Sequence, residues 1–126
     1  MTALRTILFG SNFFSGVVPL SIQSLSDLVA LDLSRNFFSG PLPVFPKAMP
    51  LLKTLDVTIN DFTGALPTTI GGYTALRTLR LAATDIVSQI PTEIGLLTAL
   101  EEFTIARSGL DGPVPTQIGH LTNLSM

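Results

Sequence analysis

The chain has 126 residues, of which 46% are hydrophobic and only 13% are charged. This length suits one domain or part of one, and the composition is that of a chain that can bury a core. The net charge of -2 provides no basic surface for nucleic-acid phosphates or acidic lipids. The absence of cysteine excludes disulfides, thiolate metal sites and cysteine nucleophiles, but it leaves the redox compartment open.

The N-terminal stretch is interrupted by Arg5, and no apolar run in the sequence approaches the length of a membrane-spanning helix. We therefore expect neither a signal peptide nor a transmembrane segment in this chain. We also expect this segment to contact neither a membrane nor a nucleic acid.

A pattern of apolar residues returns every 24 residues along the whole chain. Seven apolar positions recur in five complete repeats, and only Pro46 breaks the pattern. A period in this range indicates a solenoid, in which stacked repeats bury one continuous core. We treat residues 1–126 as a single solenoid section. The repeats begin at Leu4, Leu28, Leu52, Leu76 and Leu100, and Leu124 opens a partial sixth.

Each repeat contains one short segment in which apolar and polar residues alternate, as in residues 54–58. This alternation is typical of a half-buried β-strand. Because successive strands run in the same direction, we expect them to pair in parallel at about 4.8 Å.

An asparagine follows the strand in the first three repeats, at Asn12, Asn36 and Asn60. An inward-pointing amide at this turn can bond backbone groups that the turn leaves unpaired, so these residues predict a structural ladder. Thr84 and Ser108 take this position in the last two repeats, and a hydroxyl has one donor where an amide has two. We therefore expect the C-terminal repeats to be held less firmly.

Later in the repeat, a glycine permits a bend with a positive φ angle, and Ser88 is the exception. The outer segments 68–71 and 92–95 are too short for more than one helical turn and indicate 3₁₀ or irregular structure. In the second repeat, prolines crowd residues 41–51 and make a helical turn improbable. The bend glycines are Gly16, Gly40, Gly64 and Gly112.

Residues 52–73 follow the pattern LxxLxLxxNxFxGxLPxxIGxx. This pattern resembles the plant-type leucine-rich repeat of receptor-like kinase and receptor-like protein ectodomains and of polygalacturonase-inhibiting proteins. The resemblance covers essentially the whole chain. It implies an α/β-type repeat solenoid that is mostly β, built as a right-handed superhelix. It also implies a concave parallel β-sheet, an irregular or 3₁₀ convex side, and a second short strand near the Gly-Pro element.

No capping repeat is visible at either end, and Thr122-Asn123-Leu124 begins a repeat that the chain does not finish. A solenoid needs terminal repeats with a polar outer face. Our hypothesis is that the chain is a piece of a longer array whose flanking repeats are its partners.

The strand positions that face out of the sheet are the candidate ligand-binding residues, and they are expected to form rows across neighbouring strands. Asp32 lies beside Asp56, an unfavourable pair of like charges that Arg80 partly offsets. The pair could receive a cationic or hydroxyl-rich ligand, although an ordinary solvated surface is the favoured interpretation. The full candidate set is Asp32, Arg35, Thr54, Asp56, Thr58, Thr78, Arg80, Glu102, Thr104 and Arg107.

Phe13 and Phe37 follow the ladder asparagines and are expected to stack on one flank, near Val17, Leu20 and the pair Val44-Phe45. Apolar exposure of this extent indicates a contact surface, and we interpret it as the contact with a missing neighbouring repeat.

Enzyme chemistry has little support, since the single histidine, His120, has no catalytic partner in its repeat and the acidic residues lack metal-ligand spacing. We expect no catalytic residue, no metal and no cofactor. The sequence and its resemblance together predict a recognition module that binds a protein, peptide or glycan at an extracellular or cell-surface location. The alternatives are a structural spacer of a larger intracellular repeat protein, or an ice-binding solenoid that uses the threonine rows at 68, 92 and 116.

Overall fold

Residues 3–125, which are the residues that this computed structural model describes, contain nine short strands and four 3₁₀ turns. The strands are β1 (Thr6–Leu8), β2 (Ser15–Val17), β3 (Ala30–Asp32), β4 (Phe37–Gly40), β5 (Thr54–Asp56), β6 (Asp61–Gly64), β7 (Thr78–Arg80), β8 (Asp85–Ile86) and β9 (Glu102–Thr104). Residues 1, 2 and 126, at the outer limits of the section assigned from the sequence, lie outside the described residues.

The first strand of every repeat contributes to one five-stranded parallel sheet, in the order β1-β3-β5-β7-β9. Each strand residue pairs with the residue 24 positions later, for example Thr54 with Thr78. The central residue of each strand points inward, and Leu31, Leu55 and Leu79 are fully buried. The structure thus confirms the predicted mostly-β repeat solenoid with a parallel sheet.

A second parallel sheet, in the order β2-β4-β6-β8, lies at the flank of the stack. Its register differs from that of the first sheet, because Ser15 pairs with Phe37 and Thr63 pairs with Asp85, residues 22 rather than 24 positions later. The fifth repeat continues this sheet only through an isolated bridge between Gln89 and Asp111.

The core runs along the whole stack as rows of equivalent side chains. Phe14, Phe38 and Phe62 form an aromatic row with ring centroids 6.0 and 6.3 Å apart and interplanar angles of 16°. The leucines that begin repeats two to five, including Leu52 and Leu76, are fully buried, whereas Leu4 at the N-terminal end is 50% exposed. Each repeat therefore covers the apolar side chains of the preceding one, which is how a solenoid builds its core.

The convex side carries a 3₁₀ turn in four of the five repeats, at Leu20–Ser24, Thr68–Gly72, Thr92–Leu96 and Thr116–His120. A proline with extended ψ precedes each turn, because the fixed φ of proline suits the residue that leads into it. No described helical segment is long and apolar enough to cross a membrane.

The second repeat has no 3₁₀ turn within its fully described residues 41–51, as its prolines predict. The backbone instead makes a tight turn in which Phe45 O accepts hydrogen bonds from Ala48 N and Met49 N, both at 3.0 Å. Tyr73 of the next repeat supports this turn, because its hydroxyl accepts a hydrogen bond from Phe45 N at 2.8 Å. The ring of Tyr73 is buried, with 1% of its surface exposed.

Tyr73 is expected to titrate well above an ordinary tyrosine. Burial raises the pKa of Tyr73 from 10.0 to about 12, and the hydrogen bond from Phe45 N only partly opposes this shift. Because the folded-state pKa is the higher one, the stability that the neutral phenol contributes is fully present below pH 10 and is lost as the pH rises through 12. A shift of this size corresponds to roughly 2–3 kcal/mol.

The chain has one tyrosine and no tryptophan, so the ultraviolet absorbance of tyrosinate reports on Tyr73 alone. We expect a folded-state midpoint near 12 and a midpoint near 10 in denaturant. The Tyr73→Phe variant is the control. It keeps the ring but has no phenol to ionise, so it should not show the loss of stability that accompanies ionisation of Tyr73 at high pH. A folded-state midpoint of 10 would show that the phenol is accessible to water.

Candidate functional site

The five-stranded sheet brings eight of the ten candidate ligand-binding residues onto or beside one surface, which we call the concave face. It consists of the outward-pointing side chains of β1, β3, β5, β7 and β9 and of the residues that follow these strands. One row contains Thr54, Thr78 and Glu102, and the next contains Asp32, Asp56, Arg80 and Thr104. Thr58 follows the end of β5.

The other two candidates, Arg35 and Arg107, lie in turns and not in extended strand. Their φ angles are 55° and 57°, and the equivalent residue of every repeat also has a positive φ. Hydrogen bonds to the next repeat explain this conformation, since Arg35 N donates to Thr58 O at 2.8 Å and Ile59 N donates to Ala82 O at 3.0 Å. The alternation read from the sequence missed this turn. Both arginines are exposed.

Asp56 is a buried residue with 8% of its surface exposed, so the interpretation of the Asp32 and Asp56 pair as an ordinary solvated surface is wrong for Asp56. Its Oδ1 accepts a hydrogen bond from Thr58 N at 3.0 Å, and its Oδ2 lies 3.3 Å from Arg80 Nη1. Asp32 makes the equivalent turn contact, accepting from Ser34 N at 2.9 Å. Asp56 therefore holds the backbone and Arg80 and offers little surface to a ligand.

Arg80 is held by two carboxylates. Its Nε and Nη2 donate to Glu102 Oε1 and Oε2 at 2.6 and 2.8 Å, and Nη1 donates to Asp56. The hydrogen bonds from Arg80 lower the pKa of the Glu102 carboxyl, and those to Glu102 raise the pKa of the Arg80 guanidinium. The centre of the concave face is thus a fixed ion-pair network in which one guanidinium is shared by two carboxylates.

Asp32, Arg35 and Arg107 make no ion pair with any described residue. The Thr58 hydroxyl, also among the described residues, is a buried oxygen without a hydrogen-bond partner. The charged side chains without an ion pair therefore lie on either side of this ion-pair network, in the second and fifth repeats.

The asparagines connect neighbouring repeats. Asn36 Nδ2 donates to Phe9 O at 2.8 Å, and its Oδ1 accepts from Phe14 N at 3.0 Å, so one side chain bonds two backbone groups of the preceding repeat. Asn60 repeats this pattern with Leu33 O and Phe38 N.

The first and the last two positions of the ladder bond within their own repeats. Asn12 is exposed, and its amide donates to Phe9 O and Gly10 O. The hydroxyls of Thr84 and Ser108 each donate to the carbonyl three residues earlier, Leu81 O and Ile105 O. Only Asn36 and Asn60 therefore bridge repeats through their side chains among the described ladder positions.

Phe13 and Phe37 stack at the flank, with ring centroids 6.4 Å apart and an interplanar angle of 17°. Phe13 is 89% exposed, and Phe37, Val17 and Leu20 are also exposed. From the sequence, Val44 was expected near this exposed patch. This prediction is wrong, because Val44 is buried in the core.

The convex side carries the remaining sequence candidates. His120 is exposed at the end of the last 3₁₀ turn. Asn123, in the segment that opens the partial sixth repeat, is exposed and donates its side-chain amide to Thr98 O at 3.0 Å. Residues 3–125 contain no group of three or more His, Cys, Asp or Glu that could hold a metal ion.

The stacked parallel strands, the asparagines that bridge repeats and the 3₁₀ turns behind them give the chain the fold of a leucine-rich-repeat solenoid. A family model described as Leucine Rich Repeat matches residues 27–49. No curated protein sequence matches the chain.

Solved structures of plant receptors are similar to almost the whole chain. The ectodomain of the receptor kinase GASSHO1/SCHENGEN3 from Arabidopsis thaliana, solved with CASPARIAN STRIP INTEGRITY FACTOR 2, is 28% identical, with a TM-score of 0.93 over 96% of this chain and 14% of that one. The Arabidopsis receptor kinase HAESA, solved with the IDA peptide hormone, is 29% identical, with a TM-score of 0.91 over 96% of this chain and 21% of that one.

The BIR2 ectodomain from Arabidopsis thaliana is 30% identical, with a TM-score of 0.84 over 87% of this chain and 58% of that one. The chain thus spans between about one seventh and three fifths of the length of these similar chains.

Proposed function

We propose that the chain is a non-catalytic recognition segment of a plant-type leucine-rich-repeat ectodomain, and that it binds a peptide, protein or glycan ligand on its concave face. The ligand meets it at the cell surface or outside the cell. Flanking repeats of a longer array extend the same face. The similarity to GASSHO1/SCHENGEN3 and HAESA, both solved with a bound partner, supports this proposal.

The observation that carries the proposal is the distribution of charge on the concave face and in the turns that follow its strands. In the middle, Arg80 is paired with both Asp56 and Glu102. Arg35 and Arg107 are exposed without an ion pair to any described residue. They belong to repeats two and five, roughly 14 Å apart at the spacing of parallel strands. An extended chain with anionic groups at both ends suits this arrangement better than a compact ligand.

A double substitution, Arg35→Asn with Arg107→Asn, tests the proposal. Asparagine is chosen because both positions have a positive φ, which asparagine tolerates better than alanine. Wild-type and variant chains are immobilised and exposed to a pool of secreted plant peptides, and the bound species are identified by mass spectrometry. We expect the double variant to lose peptides that the wild-type chain retains.

The matched control is Arg5→Asn with Lys53→Asn, which removes two positive charges from exposed residues that precede the strands and leaves the concave face unchanged. Peptides retained by the wild type and by this control but lost from the Arg35→Asn, Arg107→Asn variant support the proposal. Identical sets of peptides on all three chains would contradict it and favour the structural spacer.

A further inference from the structure

The second repeat leaves a groove on the convex side of the stack. The turns Thr68–Gly72, Thr92–Leu96 and Thr116–His120 lie against one another on successive repeats. In the second repeat the proline-rich turn replaces this element, so no 3₁₀ turn separates Leu20–Ser24 from Thr68–Gly72. As a result Gln23 of the first repeat and Thr69 of the third line the same cavity.

The groove has a volume of about 600 Å³. Its floor and walls are mainly apolar and are formed by Val44, Phe45, Pro46 and Ala48. Gly72 closes one side, and a Cβ atom there would lie only 2.8 Å from Pro46, so the glycine allows the two repeats to meet closely. Sites for small organic ligands have this range of volume and this predominance of apolar lining.

Lys47 gives the groove a positive charge. It is the one charged residue among those that line the groove in the described part of the chain. It is exposed and makes no ion pair with a described residue. Gln23 and Thr69 add hydrogen-bonding side chains at the rim. An apolar floor beside an uncompensated ammonium group complements a ligand with an apolar ring and a negative charge.

We propose that this groove binds a small organic anion that carries a ring system, such as an aromatic carboxylate or sulfonate. The ring packs on Phe45 and Pro46, and the anionic group pairs with Lys47. The site lies behind the sheet that carries the concave face, so it operates independently of the ligand proposed for that face.

Fluorescence titration with anilinonaphthalene sulfonate tests this site, with the uncharged phenylnaphthylamine as the matched probe. We expect Lys47→Glu to weaken the binding of the sulfonate by about tenfold and to change the binding of the uncharged probe little. Lys53→Glu is the control, because it makes the same change of charge at an exposed lysine that does not line the groove. Equal effects of the two substitutions would overturn the pairing with Lys47.

A second pair of variants tests the cavity itself. Thr69→Trp places a large side chain in the groove and should abolish the binding of both probes, whereas Thr68→Trp, at the neighbouring exposed residue, should leave it unchanged. Amide NMR shifts locate the probes, which we expect at Ala48 and Thr69. Shifts confined to Phe9 and Phe14, which line a separate cavity of about 510 Å³ in the first repeat, would overturn the proposal.

Discussion

Replacement of Phe62 by alanine is expected to lower the free energy of unfolding by about 3–5 kcal/mol. Phe62 is fully buried at the middle of the stack, and its ring lies 6.3 Å from that of Phe38. Truncation removes apolar area from the core and leaves a cavity that neighbouring repeats cannot fill without moving. Urea denaturation followed by far-ultraviolet circular dichroism measures this loss.

Phe13→Ala is the matched control, since it makes the same change on a ring that is 89% exposed. Its stacking with Phe37 is a surface contact, so we expect a loss of less than about 1 kcal/mol. Equal losses in the two variants would show that the buried pair of Phe38 and Phe62 does not form the core of the solenoid.

Asn60→Ala is expected to destabilise the chain by about 2–4 kcal/mol, because it leaves several buried backbone groups without a hydrogen-bond partner. Phe38 N loses the acceptor at 2.9 Å, and Leu33 O and Val57 O lose the donors at 2.9 and 3.1 Å. Hydrogen exchange should localise the effect, since the Phe38 amide loses its protection while amides of distant repeats keep theirs.

Asn12→Ala removes the same amide from an exposed residue that bonds only within its own repeat. We expect a change of less than about 1 kcal/mol, because water replaces the lost partners. If Asn12→Ala were as destabilising as Asn60→Ala, the bonds between repeats would not be the source of the effect.

The period of 24 residues was enough to predict the fold, because an uninterrupted repeat dictates which residues of successive strands become neighbours. The pairing of Ala30 with Thr54 and of Thr54 with Thr78 follows that period. The flank sheet does not follow it, since Ser15 pairs with Phe37. The repeat length gives the number of residues between equivalent positions of successive repeats. It does not determine the register in which a second pair of strands aligns.

The side-chain contacts of the concave face were harder to predict from the sequence than the fold. Arg80 was expected beside Asp56, its neighbour in the same row, but its stronger partner is Glu102, which lies diagonally across on the next strand. A long side chain reaches across rows, so a list of row neighbours cannot identify its partner. The positive φ of Arg35 was also hidden, because bonds to the next repeat impose it and arginine has no preference for it.

The asparagine bridges have a directional consequence for how the molecule comes apart. Side-chain bonds of this kind join the first repeat to the second and the second to the third, while Thr84 and Ser108 form none and the flank sheet dwindles to a single bridge at Gln89. In a structure whose units touch only their neighbours, resistance to opening varies along its length. Under a mechanical pull on both ends, replacement of Asn36 and Asn60 by alanine should therefore lower the force at which the first three units separate.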